Sequence, residues 1–328
     1  MKIRNIVLTL AAVLFCTASI SATTIAHTWV SGSGNDTNPC TFASPCATFA
    51  GALAKTTSGG LITAMDAGDF GAASMLTISQ SVTIDGSNLG SITYSGSGYS
   101  VINITASANV TLQNFTINGL GSANVGIGVA SGGIVIVDNC KIMNILGHAI
   151  DYWGAGNLTV ENSRFESFYS TGNLGMKIAA NGAENVVVRN TVIDVSPLSA
   201  NSSGFYIGSG TGPVQVSLQN VTIMGAGVNA VTTETGTTQI TGSVITQSNL
   251  GVHALFGSTI SVASSMITAN TTGICSEASS KIRLDNNDIY DNTTAIANCD
   301  GTVKTSTTNK VSGTIAIPAA DISESVTF

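Results

Sequence analysis

The sequence predicts an all-β solenoid, a parallel β-helix of about ten coils. Three observations predict it: a phrase that recurs down the chain, apolar rows at constant offsets from it, and no helical periodicity between recurrences. The phrase is clearest as VSLQNVTI, residues 216–223, and returns as VTLQNFTI, VIVDNCKI, LTVENSRF and VVVRNTVI. Aligned on its Asn, it anchors at Gly86, Asn114, Asn139, Asn162, Asn190, Asn220, Gly242, Ser264, Asn286 and, more faintly, Thr308. The last five anchors are 22 residues apart, and the earlier steps of 23 to 30 read as the same unit with loop insertions.

Each unit resolves into two or three short strands. Two residues before the anchor stand Leu112, Val137, Val160, Val188, Leu218, Ile240, Val262 and Leu284. Three residues after it stand Ile117, Ile142, Phe165, Ile193, Ile223, Ile245, Ile267 and Ile289. Alternation of this kind is the signature of a strand with one buried face. A third apolar segment follows a small residue, as in Gly126–Val129, Gly175–Ile178, Gly204–Ile207 and Gly251–Ala254. Propeller blades and ankyrin repeats are longer than 22 residues, and a leucine-rich repeat needs a Leu signature where this chain uses Val, Ile and Thr. The anchoring Asn then has an architectural reading. It tolerates the left-handed backbone of a tight bend, as Gly does, and its amide can bond along a ladder of stacked coils.

The chain opens with Lys2 and Arg4, an apolar run from Ile6 to Phe15, and small residues to Ala22. That is the layout of a secretory signal peptide, with an apolar run too short to span a bilayer. The predicted address is therefore secreted, extracellular or periplasmic. Loss of Lys2 and Arg4 would leave nine basic against 18 acidic residues, a net charge of about −9. Nucleic acid and anionic lipid are excluded as partners, because both need clustered Lys and Arg. No membrane span is expected. In an oxidising compartment Cys40 and Cys46, flanking a Pro-bounded turn, form a loop-clamping disulfide, and Cys275 and Cys299, one coil plus two residues apart, could bridge adjacent coils. Cys140 follows an anchor in a row with Phe115, Thr191 and Val221 that points inward, which predicts a buried, inert thiol.

A solenoid needs capped ends. Residues Pro45 to Lys55 form the one good helical stretch after the leader, with Phe49, Ala52 and Leu53 on one face to cover the first coil. The expected organisation is a leader over 1–22, an N-terminal cap over 23–80, repeats over 81–314 and a tail over 315–328. A capped rod is expected to be monomeric. The run TWVSGSGNDTNPCTFASPCATFAGALAKTTSGGLITAMDAGDFG, followed by LTISQSVTIDG, resembles the start of bacterial secreted right-handed β-helix proteins of the pectin-lyase-like superfamily. The specific match covers about residues 28–86. The resemblance implies a right-handed coil and secretion and brings no assigned activity, since function resides in sites and not in folds.

Candidate chemistry lies beside the anchors. Gln113, Asp138, Glu161, Arg189 and Gln219 should stack on the outward face, with Lys141 and Arg164 nearby. Asp138 and Glu161 with Arg189 are the candidate catalytic residues: carboxylates could hold Ca²⁺ against a uronate while a basic side chain takes its α-proton, or could hydrolyse a glycosidic bond. Against this, charges on neighbouring strands also stabilise one another as a plain surface ladder. An Asn-Thr-Asp triplet, an Asp-Asp pair and a Gly-His-Gly are absent. Asp151, Tyr152, Trp153, Lys177 and Tyr206 form a candidate glycan groove, with Tyr152 and Trp153 in a loop and an outward row of Ala149, Lys177, Tyr206, Asn229 and His253. His148 should face the core or its edge. No zinc spacing occurs, and LDNNDIYDN lacks the Gly turn and terminal Glu of a calcium loop. No cofactor is expected, with Ca²⁺ only under the lyase alternative. The leading expectation is a non-catalytic rod for binding or adhesion towards extracellular polysaccharide or cell-surface glycan. The alternative is a polysaccharide lyase or glycoside hydrolase acting on uronate-containing glycans.

Overall fold

The structure, a computed structural model, describes residues 25–316 apart from 72–73, 95, 97–98, 106, 131, 170–171, 180–183, 197–200 and 209–213. The expected leader over 1–22 and the expected tail from residue 317 onward lie outside the described residues. The chain winds as a right-handed solenoid of three parallel sheets with 12, 11 and 11 strands. One coil shows the path. Ile134–Asp138 lies in the first sheet, Asn139 turns the corner, Lys141–Ile145 enters the second sheet and His148–Tyr152 the third. Asn157–Glu161 then returns to the first sheet one coil further on.

Strand register keeps like positions stacked. In the first sheet Val137, Val160, Val188, Leu218, Ile240, Val262 and Leu284 pair in succession. The second sheet stacks Ile142, Phe165, Ile193, Ile223, Ile245, Ile267 and Ile289, and the third Ile127, Ile150, Met176, Phe205, Val231, Val252 and Ile274. All these side chains are buried and fill one continuous core. Burial of each such side chain contributes roughly 1.5–3 kcal/mol, so every coil stabilises its neighbours.

The anchors take the left-handed backbone. φ is 62° at Asn114, 50° at Asn139, 52° at Asn162, 50° at Asn190, 53° at Asn220, 60° at Gly242, 51° at Ser264 and 51° at Asn286. Their amides form the expected ladder: Asn220 Nδ2 donates to Asn190 Oδ1 at 2.9 Å, and Asn139 Nδ2 to Asn114 Oδ1 at 2.9 Å. The first corner is displaced from Gly86. Ser87 and Asn88 carry the positive φ there, and Asn88 Oδ1 accepts from Asn139 Nδ2 at 2.8 Å. A second left-handed corner, between the second and third sheets, recurs at Gly225, Gln247, Ala269, Asp291 and Gly313. It has the same 22-residue step but no common residue type.

Buried turn N–H groups behind the anchors are satisfied by stacked hydroxyls and amides. Val221 N donates to Ser243 Oγ at 3.1 Å, Ser243 N to Ser265 Oγ at 3.1 Å, and Ser265 N to Asn287 Oδ1 at 3.0 Å. At the N-terminal end the helix is shorter than expected, Phe49–Leu53, and starts at Thr48, whose Oγ1 accepts from Gly51 N at 2.9 Å. Phe49 packs its ring against Phe70 and Phe115, so the helix closes the bottom of the core. Disulfides join Cys40 to Cys46 and Cys275 to Cys299. Cys140 is free and buried, and burial pushes its thiol up to about 12, which makes it unreactive at neutral pH.

Candidate functional site

The first sheet brings Asp138, Glu161 and Arg189 into one outward row, in direct register between Gln113 and Gln219. Their polar groups are engaged with neighbours. Arg189 Nε lies 2.8 Å from Glu161 Oε2, and Asp138 Oδ1 accepts from Asn162 Nδ2 at 2.8 Å. The second sheet continues the pattern. Lys141 meets Glu166 at 2.6 Å, and Arg164 bridges Glu166 and Asp194. The bond from Lys141 holds the Glu166 carboxyl below its ordinary value, partial burial opposes this, and Arg164 adds to the lowering. A hollow of about 300 Å³ on the first sheet lies further along, over Asn185, Gln215, Ser217, Thr237 and Gln239, away from Asp138.

The third sheet carries a different row. Asn103, Gly128, Asp151, Lys177, Tyr206, Thr232, His253 and Cys275 stack in register on its outer side. This corrects the expected phase at two positions. Ala149 is fully buried, in a row of small residues that includes Gly126, Gly175, Gly204 and Ala230. A Cβ at Gly126 would come within 2.6 Å of Ile142, so this row stays small because the third strand crosses the second-sheet isoleucines closely. Asn229 pairs with Leu250, three positions before the expected row, where Thr232 pairs with His253, although its amide still reaches His253 Nδ1 at 3.3 Å.

Asp151 is the centre of the row. It is only 2% exposed. Its Oδ2 accepts from the Tyr99 hydroxyl at 2.9 Å, and burial together with that bond pushes the Tyr99 phenol up to about 12. Its Oδ1 has no hydrogen-bond donor among the described residues, with Lys177 Nζ 3.6 Å away. His148 Nδ1 accepts from Leu174 N at 3.2 Å. Burial lowers the His148 pKa; the Asp151 charge opposes this, and the Lys177 charge adds to it. One coil beyond Lys177, burial and a bond to Glu234 push the Tyr206 phenol up to about 12. Asn103 Oδ1 and Thr232 Oγ1, in the same row, are also buried without a partner among the described residues.

Trp153 leaves the strand and folds back over it. Its ring contacts Tyr99 edge-on at 6.3 Å, and a Cβ on Gly128 would lie 2.9 Å from the indole and 2.8 Å from Ser100 Oγ. Glycine at 128 is therefore what lets the indole lie close to the sheet. Tyr152 is a correction. It ends the strand His148–Tyr152, pairs with Val129 and Ile178, and is fully buried. Its hydroxyl accepts from Gly156 N at 2.8 Å and tightens the following turn, so its ring is core and cannot face a ligand. Asp151, Trp153, Lys177 and Tyr206 are brought together; Tyr152 is not. Tyr99, Asn103 and Glu234 escaped sequence reading, because only the register shows that they meet this row.

Among the described residues no group of three or more His, Cys, Asp and Glu is placed to hold a metal ion. Asp285 instead accepts from Ser306 and Thr308 at 2.6 and 2.8 Å, and Asp288 pairs with Lys310 at 3.3 Å. Among the same residues no helix is long and apolar enough to cross a membrane.

The family described as the right-handed beta helix region matches residues 50–217, about half of the chain. The chain belongs to this family. Two solved structures resemble this β-helix protein. One is the A-module of the mannuronan C-5 epimerase AlgE4 of Azotobacter vinelandii, with a TM-score of 0.61 and 16% identity over 78% of this chain and 80% of that one. The other is the pectate lyase Pel9A, with a TM-score of 0.55 and 14% identity over 90% of this chain and 79% of that one. At such identities the likeness shows the fold of the β-helix protein and leaves its chemistry to its own residues. No curated protein matches it in sequence.

Proposed function

We propose that this β-helix protein is a secreted, non-catalytic polysaccharide-binding rod, with its glycan site on the outer face of the third sheet at Tyr99, Asp151, Trp153, Lys177 and Tyr206. One observation carries the reading: a buried carboxylate oxygen, Asp151 Oδ1, waits without a donor beside an indole folded over the sheet. Lys177 Nζ balances its charge from 3.6 Å without hydrogen-bonding it; a buried acceptor short of a donor is costly, and a sugar hydroxyl is the kind of donor that would satisfy it. The neighbouring indole and phenol offer apolar faces with polar tips. Structural likeness to a mannuronan epimerase and a pectate lyase supports a carbohydrate ligand, and two disulfides support an oxidising, extracellular setting.

Two observations weigh against a lyase or hydrolase at Asp138, Glu161 and Arg189. Glu161 and Arg189 neutralise each other, and Asp138 is held by a corner amide. A screen of polygalacturonate and alginate with Ca²⁺, read at the absorbance of unsaturated products, is expected to stay at baseline. Product formation that disappears in Arg189→Ala would reverse the non-catalytic reading. For binding, a glycan array compares the parent with Trp153→Ala. At least a tenfold loss of affinity is expected, with unchanged circular dichroism; equal binding by both would sink the groove.

A further inference from the structure

Charge on the third sheet is distributed unlike charge on the other two. After the leader the chain has nine Lys and Arg residues. Lys55 is in the cap; Lys141, Arg164 and Lys310 are on the second sheet; Arg189, Lys281, Arg283 and Lys304 are on the first. Among the described residues Lys177 is the single Lys or Arg on a third-sheet strand. The sequence between third-sheet strands and their chain neighbours adds no Lys or Arg, and runs such as SGSGY (95–99), ASGG (130–133), WGAG (153–156), YSTGN (169–173), AANGA (179–183) and GSGTGP (208–213) carry no charge at all.

Carboxylates outnumber that one ammonium. Asp151 lies 3.6 Å from Lys177 Nζ and cancels it. Glu234 follows the strand Asn229–Thr233 and bonds Tyr206, and Glu277 follows Thr272–Ser276 and meets His253 Nε2 at 3.0 Å. His148 adds no fixed positive charge, since burial favours its neutral form. Asp151, Glu234 and Glu277 thus stand against one lysine, with Asp291 and Asp300 in the connections at the far end, on a chain of net charge −7. Along the rest of the row and beside it stand neutral hydrogen-bonding groups: Asn103, Thr232, the phenols of Tyr99 and Tyr206, and the indole of Trp153.

From this placement we infer that the groove takes a neutral glycan and rejects polyuronates. The inference rests on the binding function proposed above and sharpens its ligand class. A polyuronate carries a carboxylate on every ring. Laid along this row, successive carboxylates would pass Asp151, Glu234 and Glu277 within about one Debye length (~8–10 Å) with no unpaired cation to receive them. A neutral sugar brings hydroxyls that donate to Asp151 Oδ1 and Asn103 Oδ1 and pays no such repulsion.

The test is equilibrium titration of the intact mature protein. The probes are neutral polysaccharides (β-glucan, galactan, mannan and xylan) and the polyuronates polygalacturonate and alginate. Each is titrated at low and at physiological salt, with EDTA and with Ca²⁺. Expected is binding of at least one neutral glycan with a Kd that changes less than about twofold with salt and is lost in Trp153→Ala. Polyuronates should bind at least tenfold more weakly under every condition. Tighter binding of a polyuronate than of every neutral glycan, with or without Ca²⁺, overturns the inference while leaving the groove standing if Trp153→Ala abolishes it. Binding of neither class, or binding indifferent to Trp153, removes the groove itself and the inference with it.

Discussion

Asn220 shows how much one residue carries. Its φ of 53° places it where an L side chain other than Asn or Asp is strained, and its amide bonds the coil before it at 2.9 Å. Asn220→Ala should lose both features, about 1–2 kcal/mol for the left-handed backbone and about 1 kcal/mol for the bond. Asn220→Gly should lose only the bond. Urea denaturation is expected to rank the three proteins parent, Gly, Ala; an Ala variant as stable as the parent would show that the corner is not strained. At the same scale the proposed groove is only partly legible. Counting along the coil puts Lys177 and Tyr206 in one outward row, but it expects Ala149 where the register places Asp151. Tyr152 was misplaced because an aromatic pair after an acidic residue reads as a loop, whereas the strand runs one residue further and turns that ring into the core.

At the scale of strands, register converts single residues into ladders. Lys141, Arg164, Glu166 and Asp194 come from three successive strands of the second sheet and form one exposed network. Glu166 is held below its ordinary value, so its contribution to stability is fully present above the unfolded pKa near 4.5 and is lost as pH falls through the lower folded value. The effect should be small, because Lys141 and Arg164 remain 42% and 45% exposed. Glu166→Gln is therefore expected to lower the urea midpoint slightly at pH 7 and to flatten its fall below pH 4.5. Parallel pH profiles for parent and variant would remove the assignment. The second corner, Gly225, Gln247, Ala269, Asp291 and Gly313, was invisible in sequence for a physical reason. Its conformation is imposed by the packed strands on either side, so no residue type is selected there.

As a whole molecule the protein is nearly one-dimensional, since each coil touches its neighbours and local stability follows position along the axis. The N-terminal end is closed by Phe49 and clamped by Cys40–Cys46, while Cys275–Cys299 ties coils close to the other end. Cys299→Ser should raise amide exchange in Lys281–Asp285 and Thr302–Thr305 and leave Val186 to Leu218 as protected as in the parent; uniform loosening would mean that the rod unfolds as one unit. The sequence by itself determined the solenoid, its period, its corner asparagines and its inward rows, because a repeat stacked on itself makes every local preference also a tertiary contact. Only the tertiary structure decided which outward residues meet. Asp151 lies 52 residues from Tyr99 in sequence, and its pairing with Tyr99 and Lys177, the indole over Gly128 and the shortage of cations on one sheet exist only once the coils are in register.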